Sequence, residues 1–215
     1  MPGTTDTGNH TDDGDTAVAL PFSFSLYDQT SNSVNVNSNG RLDFVCVNEP
    51  GGFQSACLSA QPNICPFDYT IFSPWSDYRT DVVGEGCANF ASGCGIFTSV
   101  SGSAPNRIFN IEWRVVYFAN HNATANFEVR LYENDPNKRF DIIFGTIQPG
   151  SDQLYVSGVQ GPSNSFTQDF CTSWTASGRL ADVYVRGWRN SDTYADGHGN
   201  SNFYSYFNAK TDAYA

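Results

Sequence analysis

The sequence predicts an all-β fold, an antiparallel β-sandwich that is jelly-roll-like, with a long disulfide-stapled loop region and extended terminal segments. Composition is the first observation behind this. The chain of 215 residues is 40% hydrophobic and 15% aromatic, with 17 Phe and 11 Tyr but a single Met. Its Val, Ile, Phe, Tyr and Thr favour strands, and its plentiful Asn, Ser, Thr, Gly and Asp favour turns. The second is a period-two alternation of apolar side chains in several runs, which puts one face of a strand in a core and the other in water. The third is an even set of six cysteines.

The elements follow in order. Residues 1–16 are polar, carry Asp6, Asp12, Asp13 and Asp15, and read as an N-terminal loop segment. Residues 17–187 make the sandwich, and 188–215 a Tyr-, Asn- and Gly-rich tail. "AVALPFSFSL" (17–26) is strand-like but interrupted by Pro21. "SVNVNSNGRLDFVCV" reads as two strands around Asn39-Gly40, the strongest short hairpin signal. Residues 48–92 hold three of the cysteines and several prolines, and read as one long irregular excursion, tolerable because it is stapled. Strands return with "GIFTSVSG", "IFNIEWRVVYFA", "ANFEVRLYE", "FDIIFGTI" and "LYVSGVQG". In the second, Phe109, Ile111, Trp113, Val115 and Tyr117 share a face. In the third, Phe127, Val129 and Leu131 oppose Glu128, Arg130 and Tyr132. "LADVYVRGW" is a candidate last strand, and the tail beyond it is too polar to build a core alone.

The cysteines are spaced with ten, seven, twenty-one, six and seventy-six residues between them, which suits no zinc site. Disulfides fit better and imply an oxidising compartment, outside the cell or on its surface. Among the 15 possible connectivities, the expected pairs are Cys87–Cys94 and Cys57–Cys65 across short loops, leaving Cys46–Cys171. The net charge of −11 and pI near 4.4 argue against nucleic acid, whose affinity comes from Lys and Arg. No run is long and apolar enough for a membrane span. "MPGTTDTGNH" lacks the charged and apolar regions of a signal peptide, so the expectation is a signal removed or lying outside this numbering.

The runs "VNVNSNGRLDFVC", "GIFTSVSGSAPNRIFNIEWR", "NFEVRLYE", "RFDIIFGTI" and "SGVQGPSNSFTQDFC", with Trp113 and Gly158-Val159-Gln160 as the more specific matches, span roughly residues 3–175. Over that range the chain resembles a repeated β-sandwich domain of large secreted bacterial multidomain proteins, in which it accompanies PKD-type modules. It is distantly similar to nidogen-type extracellular domains. The resemblance implies fold and location and carries no catalytic residue set. Where relatives have two cysteines near the start, this chain has Thr11 and Gly14, so the resemblance implies a freer N-terminal segment here.

A search for chemistry finds His10, His121 and His198 in polar, Gly- and Asn-rich surroundings, with no nucleophile elbow, so no enzyme is expected. Asp77, Asp81 and Glu85 lie near Trp75 and Tyr78. Trp75, Asp77 and Tyr78 are the candidate ligand or adhesion residues, as an aromatic platform beside a carboxylate suits a sugar. Calcium needs many oxygens, and Asp6, Asn9, Asp12, Asp13 and Asp15 supply candidate ligands within ten residues. Asn9 and Asn122 head N-glycosylation sequons. The function expected is an extracellular structural subunit that self-associates head to tail into a filament or matrix by donating a terminal strand. The candidate donors are Phe203, Tyr204, Tyr206 and Phe207 in the tail, or the 1–20 stretch. The alternative is a carbohydrate-binding or adhesive module of a secreted protein.

Overall fold

In the computed structural model the described residues are 1–46, 52–59, 67–150, 154–162 and 165–173, together with the backbone of 185–188. The fold is two antiparallel sheets packed face to face. The strands are β1 (Thr5–Asp6), β2 (Asp15–Leu26), β3 (Gln29–Asn37), β4 (Arg41–Asp43), β5 (Thr70–Trp75), β6 (Tyr78–Arg79), β7 (Gly95–Ser101), β8 (Ile108–Tyr117), β9 (Thr124–Tyr132), β10 (Phe140–Ile147), β11 (Leu154–Gln160), β12 (Phe166–Ser173) and β13 (Val185–Trp188). One sheet has the order β1-β7-β8-β9-β10-β13, with β6 also pairing β8. The other has the order β12-β11-β5-β4-β3-β2.

The alternation read from the sequence decides which face is inside. Phe109, Ile111, Trp113, Val115 and Tyr117 of β8 and Phe127, Val129 and Leu131 of β9 all enter the inter-sheet core. They meet Phe24, Leu26, Val34, Val36, Leu42 and Ile71 from the opposite sheet. Trp113 stacks on Phe127 with ring centroids 5.3 Å apart. Its indole N–H donates to the Asn37 carbonyl at 2.9 Å, so a β8 side chain hydrogen-bonds β3 across the core. The Asn39-Gly40 hairpin joins β3 to β4, and Gly40 takes the positive φ of 83° that the tight turn needs. A side chain there would also meet the Pro74 carbonyl.

The 48–92 excursion departs from its reading as irregular loop. It contains β5, the strand at the centre of its sheet between β4 and β11. Every residue of Thr70–Trp75 is buried, which is why no alternation marks it: Ile71 faces the main core, while Phe72 and Trp75 pack on the outer face with Leu58 and Val156. Pro74 is tolerated because it lies beyond the last β4 pair, Arg41–Phe72, and inside the register break between β5 and β11. A second satellite, Cys87, Cys94 and Val116 with Val82 and Phe90, forms around the 3-10 turn Glu85–Asn89.

Each satellite core carries a disulfide. Cys57 pairs with Cys171, which ties the excursion to β12 and corrects both expected pairs, Cys57–Cys65 and Cys46–Cys171. Two cysteines in short-loop spacing were preferred from sequence. The sheet instead brings residues 114 apart to a Cα separation of 5.3 Å. Cys87–Cys94 is present, and Cys46 is disulfide-bonded as well. Cys65 lies outside the described residues.

The N-terminal segment departs from its reading as a free polar loop. Gly3 N–H donates to Glu112 Oε2 at 2.9 Å, and Arg114 donates back to the Gly3 carbonyl at 2.7 Å. β1 then pairs with β7, and Thr7 N–H reaches the Ile96 carbonyl at 3.0 Å. The 1–20 stretch therefore fills its own sheets, as β1 and the first part of β2, and is not a spare strand for donation.

Candidate functional site

The N-terminal segment, β6 and the 80–94 loop meet at one corner, where the polar groups of the chain converge. Asn9 is the hinge of this corner. Its side chain is fully buried and donates toward the carbonyls of Gly14 and Val36 and the Thr16 hydroxyl, at 3.1–3.2 Å. Its oxygen accepts from the Thr80 hydroxyl at 2.9 Å. The Thr11 and Thr80 backbones bond at 3.1 Å, and Asp12 bridges to Arg79.

These contacts draw Asp12, Asp13 and Asp77 together, with ligand oxygens all within 4.8 Å of one another. Asp13, at a positive φ of 58°, accepts from Asn39 Nδ2 at 2.7 Å, while the Asn39 side-chain Oδ1 accepts from Tyr78 N–H at 2.7 Å. The Asp12 carboxyl titrates above its ordinary value. Partial burial is the main cause, Arg79 opposes it, and Asp13 adds like-charge repulsion. Arg79 is shared: it grips Asp81 through two hydrogen bonds and lies 3.8 Å from Asp12. That grip holds the Asp81 carboxyl below the usual range. His10 is raised, first by its hydrogen bond to Asp6 at 2.9 Å.

The expected calcium set is therefore dispersed. Asp6 is taken by His10, Asn9 turns into the body of the fold, and Asp15 accepts from Asn37. Only Asp12 and Asp13 come together, and the third carboxylate is Asp77, from the expected sugar site. With one oxygen each, three carboxylates supply at most half of the six to eight oxygens that calcium takes, and Arg79 beside them competes for the same charge. No local sequence signal could have joined Asp77 to Asp12, because the β-bridge between their neighbourhoods is what brings them close.

The expected aromatic platform is also overturned. Trp75 and Tyr78 are buried, Trp75 against Phe67 and Phe72 with its N–H given to the Gly52 carbonyl, Tyr78 against Tyr117 and Phe127. Neither can stack on a sugar at the surface. Of the two sequons, Asn9 is buried with its amide nitrogen committed, whereas Asn122 is exposed in the β8–β9 turn. Phe203, Tyr204, Tyr206 and Phe207 lie outside the described residues.

A family model described as NIDO related matches residues 1–179. The chain belongs to the NIDO-related family. No curated protein and no solved structure matches it significantly. The nidogen-like relation, the two-sheet sandwich and the disulfides of this NIDO-related chain are consistent with an extracellular location. No helix among the described residues is long and apolar enough to cross a membrane.

Proposed function

We propose that this NIDO-related domain is a structural unit of an extracellular or cell-surface assembly, carried within a larger secreted multidomain protein. Copies join head to tail when the segment 189–215 of one adds to the β12 edge of the next. The observation that carries this reading is the contrast between sheet edges. Among the described residues β12 ends its sheet, as an eight-residue strand with no proline, lysine or arginine. The opposite edge, β2, is blunted by Pro21 and a register break between Ala19 and Phe24. The other sheet ends in β1, of two residues, and β13, of four. "FYSYF" (203–207) alternates Phe203, Ser205 and Phe207 with Tyr204 and Tyr206, the period that a strand added to an edge requires. Sedimentation velocity tests it on the full chain and on one ending at Trp188, with far-UV dichroism to check that the sandwich persists. The full chain should form larger species as concentration rises and the shortened chain should stay monomeric. Equal assembly by both would refute the reading.

A further inference from the structure

The 80–94 loop and the N-terminal segment enclose a cleft of about 490 Å³, lined by His10, Asp81, Val82, Val83, Phe90 and the Cys87–Cys94 bridge. Its apolar side reaches the surface unusually far. Val83, which lines the cleft, is 95% exposed, and Phe118, outside the lining but with Arg79 over its ring at 5.9 Å, is 52% exposed. Large apolar side chains left this open beside a concave surface mark contact sites more than solubility. The surrounding charge is one-sided. Asp6, Asp12, Asp81 and Glu85 stand around the cleft, and Arg79 is the cation among them, held by Asp81 and 3.8 Å from Asp12, while His10 contacts Asp6 and His121 contacts Glu85 at 3.2 Å. Lys138, the one lysine among the described residues, sits on the distant 133–139 loop.

We infer that this cleft binds an extended segment of a partner protein that alternates apolar side chains with Lys or Arg. Apolar residues would cover Val83 and Val82, and the basic groups would meet Asp81 and Glu85. Charge decides between occupants. A second copy brings a net charge of −11, so charge at this cleft does not recruit it. The chain's own segment 189–215 sets Asp192, Asp196 and Asp212 against Arg189 and Lys210, and is itself slightly acidic. This site lies on the sheet that does not contain β12, so its failure would leave the assembly reading standing.

The test is fluorescence anisotropy of the full chain with short labelled peptides alternating leucine with lysine, with glutamate or with serine. Only the leucine–lysine peptide should bind. Val83→Ser and Asp81→Asn should each weaken it about fivefold, the effect of one lost surface contact or charge pair. Asp28→Asn removes a charge at the far end of β2 and should leave binding unchanged. Equal binding by every variant would reduce the effect to diffuse attraction by an acidic protein and overturn the site. So would a leucine–lysine peptide that binds no better than leucine–serine. A change in the sedimentation of the chain alone on Val83→Ser would overturn it in favour of contact between copies.

Discussion

Asp43 shows how burial turns one carboxyl into a pH-dependent component of stability. It is fully buried beside Arg41, 3.5 Å away, and accepts from the Thr70 hydroxyl at 2.7 Å. Burial pushes it up to about 6, while Arg41 and Thr70 pull the other way. An unfolded Asp titrates near ~3.9, so the folded state holds the proton more tightly. The contribution of this group is full below the unfolded value and is lost as pH rises through about 6. Between about pH 4.5 and 7 the natural chain should lose roughly 2 kcal/mol more than Asp43→Asn, in urea denaturation at each pH. Equal losses would exclude this component. Glu112 works in the opposite sense. Burial raises it, but hydrogen bonds from Arg114, Asn126 and the Gly3 amide outweigh burial and hold it low. Asn9→Ala should cost about 2–3 kcal/mol, since it removes the buried hydrogen bonds from Asn9 to the Val36 and Gly14 carbonyls and from the Thr80 hydroxyl to Asn9. In a host that glycosylates sequons, mass spectrometry should find sugar at Asn122 and none at Asn9. These roles were not legible in the sequence. "GNHT" reads as a sequon on a polar loop, and only the fold reveals that its asparagine is committed to β2, β3 and Thr80 just after β6.

At the scale of elements, polar side chains on the second face made β8 and β9 legible, and apolar ones on both faces hid β5. The second faces of β8 and β9 carry Asn110, Glu112, Arg114, Glu128 and Arg130, polar although mostly buried, so Phe109 to Tyr117 and Phe127 to Leu131 announce themselves by period. β5 puts Ile71 on one face and Phe72 on the other, and its Pro74 argues for a loop until the register break beside it is known. The Cys57–Cys171 pairing was hidden for a related reason, because strand neighbours in space are remote in sequence. That bridge closes a separation of 114 residues, and Cys57→Ala with Cys171→Ala should lower stability by about 4–5 kcal/mol in the chain-entropy view. Opening Cys87–Cys94, with a separation of 7, should cost roughly half as much. Thermal denaturation of the two double variants ranks them. Trp113→Phe should cost about 2–3 kcal/mol, from lost volume and the lost hydrogen bond to the Asn37 carbonyl between the sheets.

For the whole molecule, charge and edge geometry act together. A net charge of −11 keeps copies apart at low ionic strength, while added salt screens that repulsion and leaves strand pairing intact. Assembly should therefore strengthen as sodium chloride is raised from about 20 to 200 mM, whereas binding of a basic peptide at the cleft should weaken over the same range. Opposite salt responses separate the two surfaces in one set of sedimentation and anisotropy experiments. The most direct measurement is amide hydrogen exchange on the chain ending at Trp188, with and without a synthetic peptide of residues 200–215. An edge that accepts this segment should show slowed exchange in Thr167–Thr172, with the cleft around Val83 unchanged. Exchange in β12 that ignores the peptide, at concentrations where the full chain assembles, would contradict strand addition at that edge.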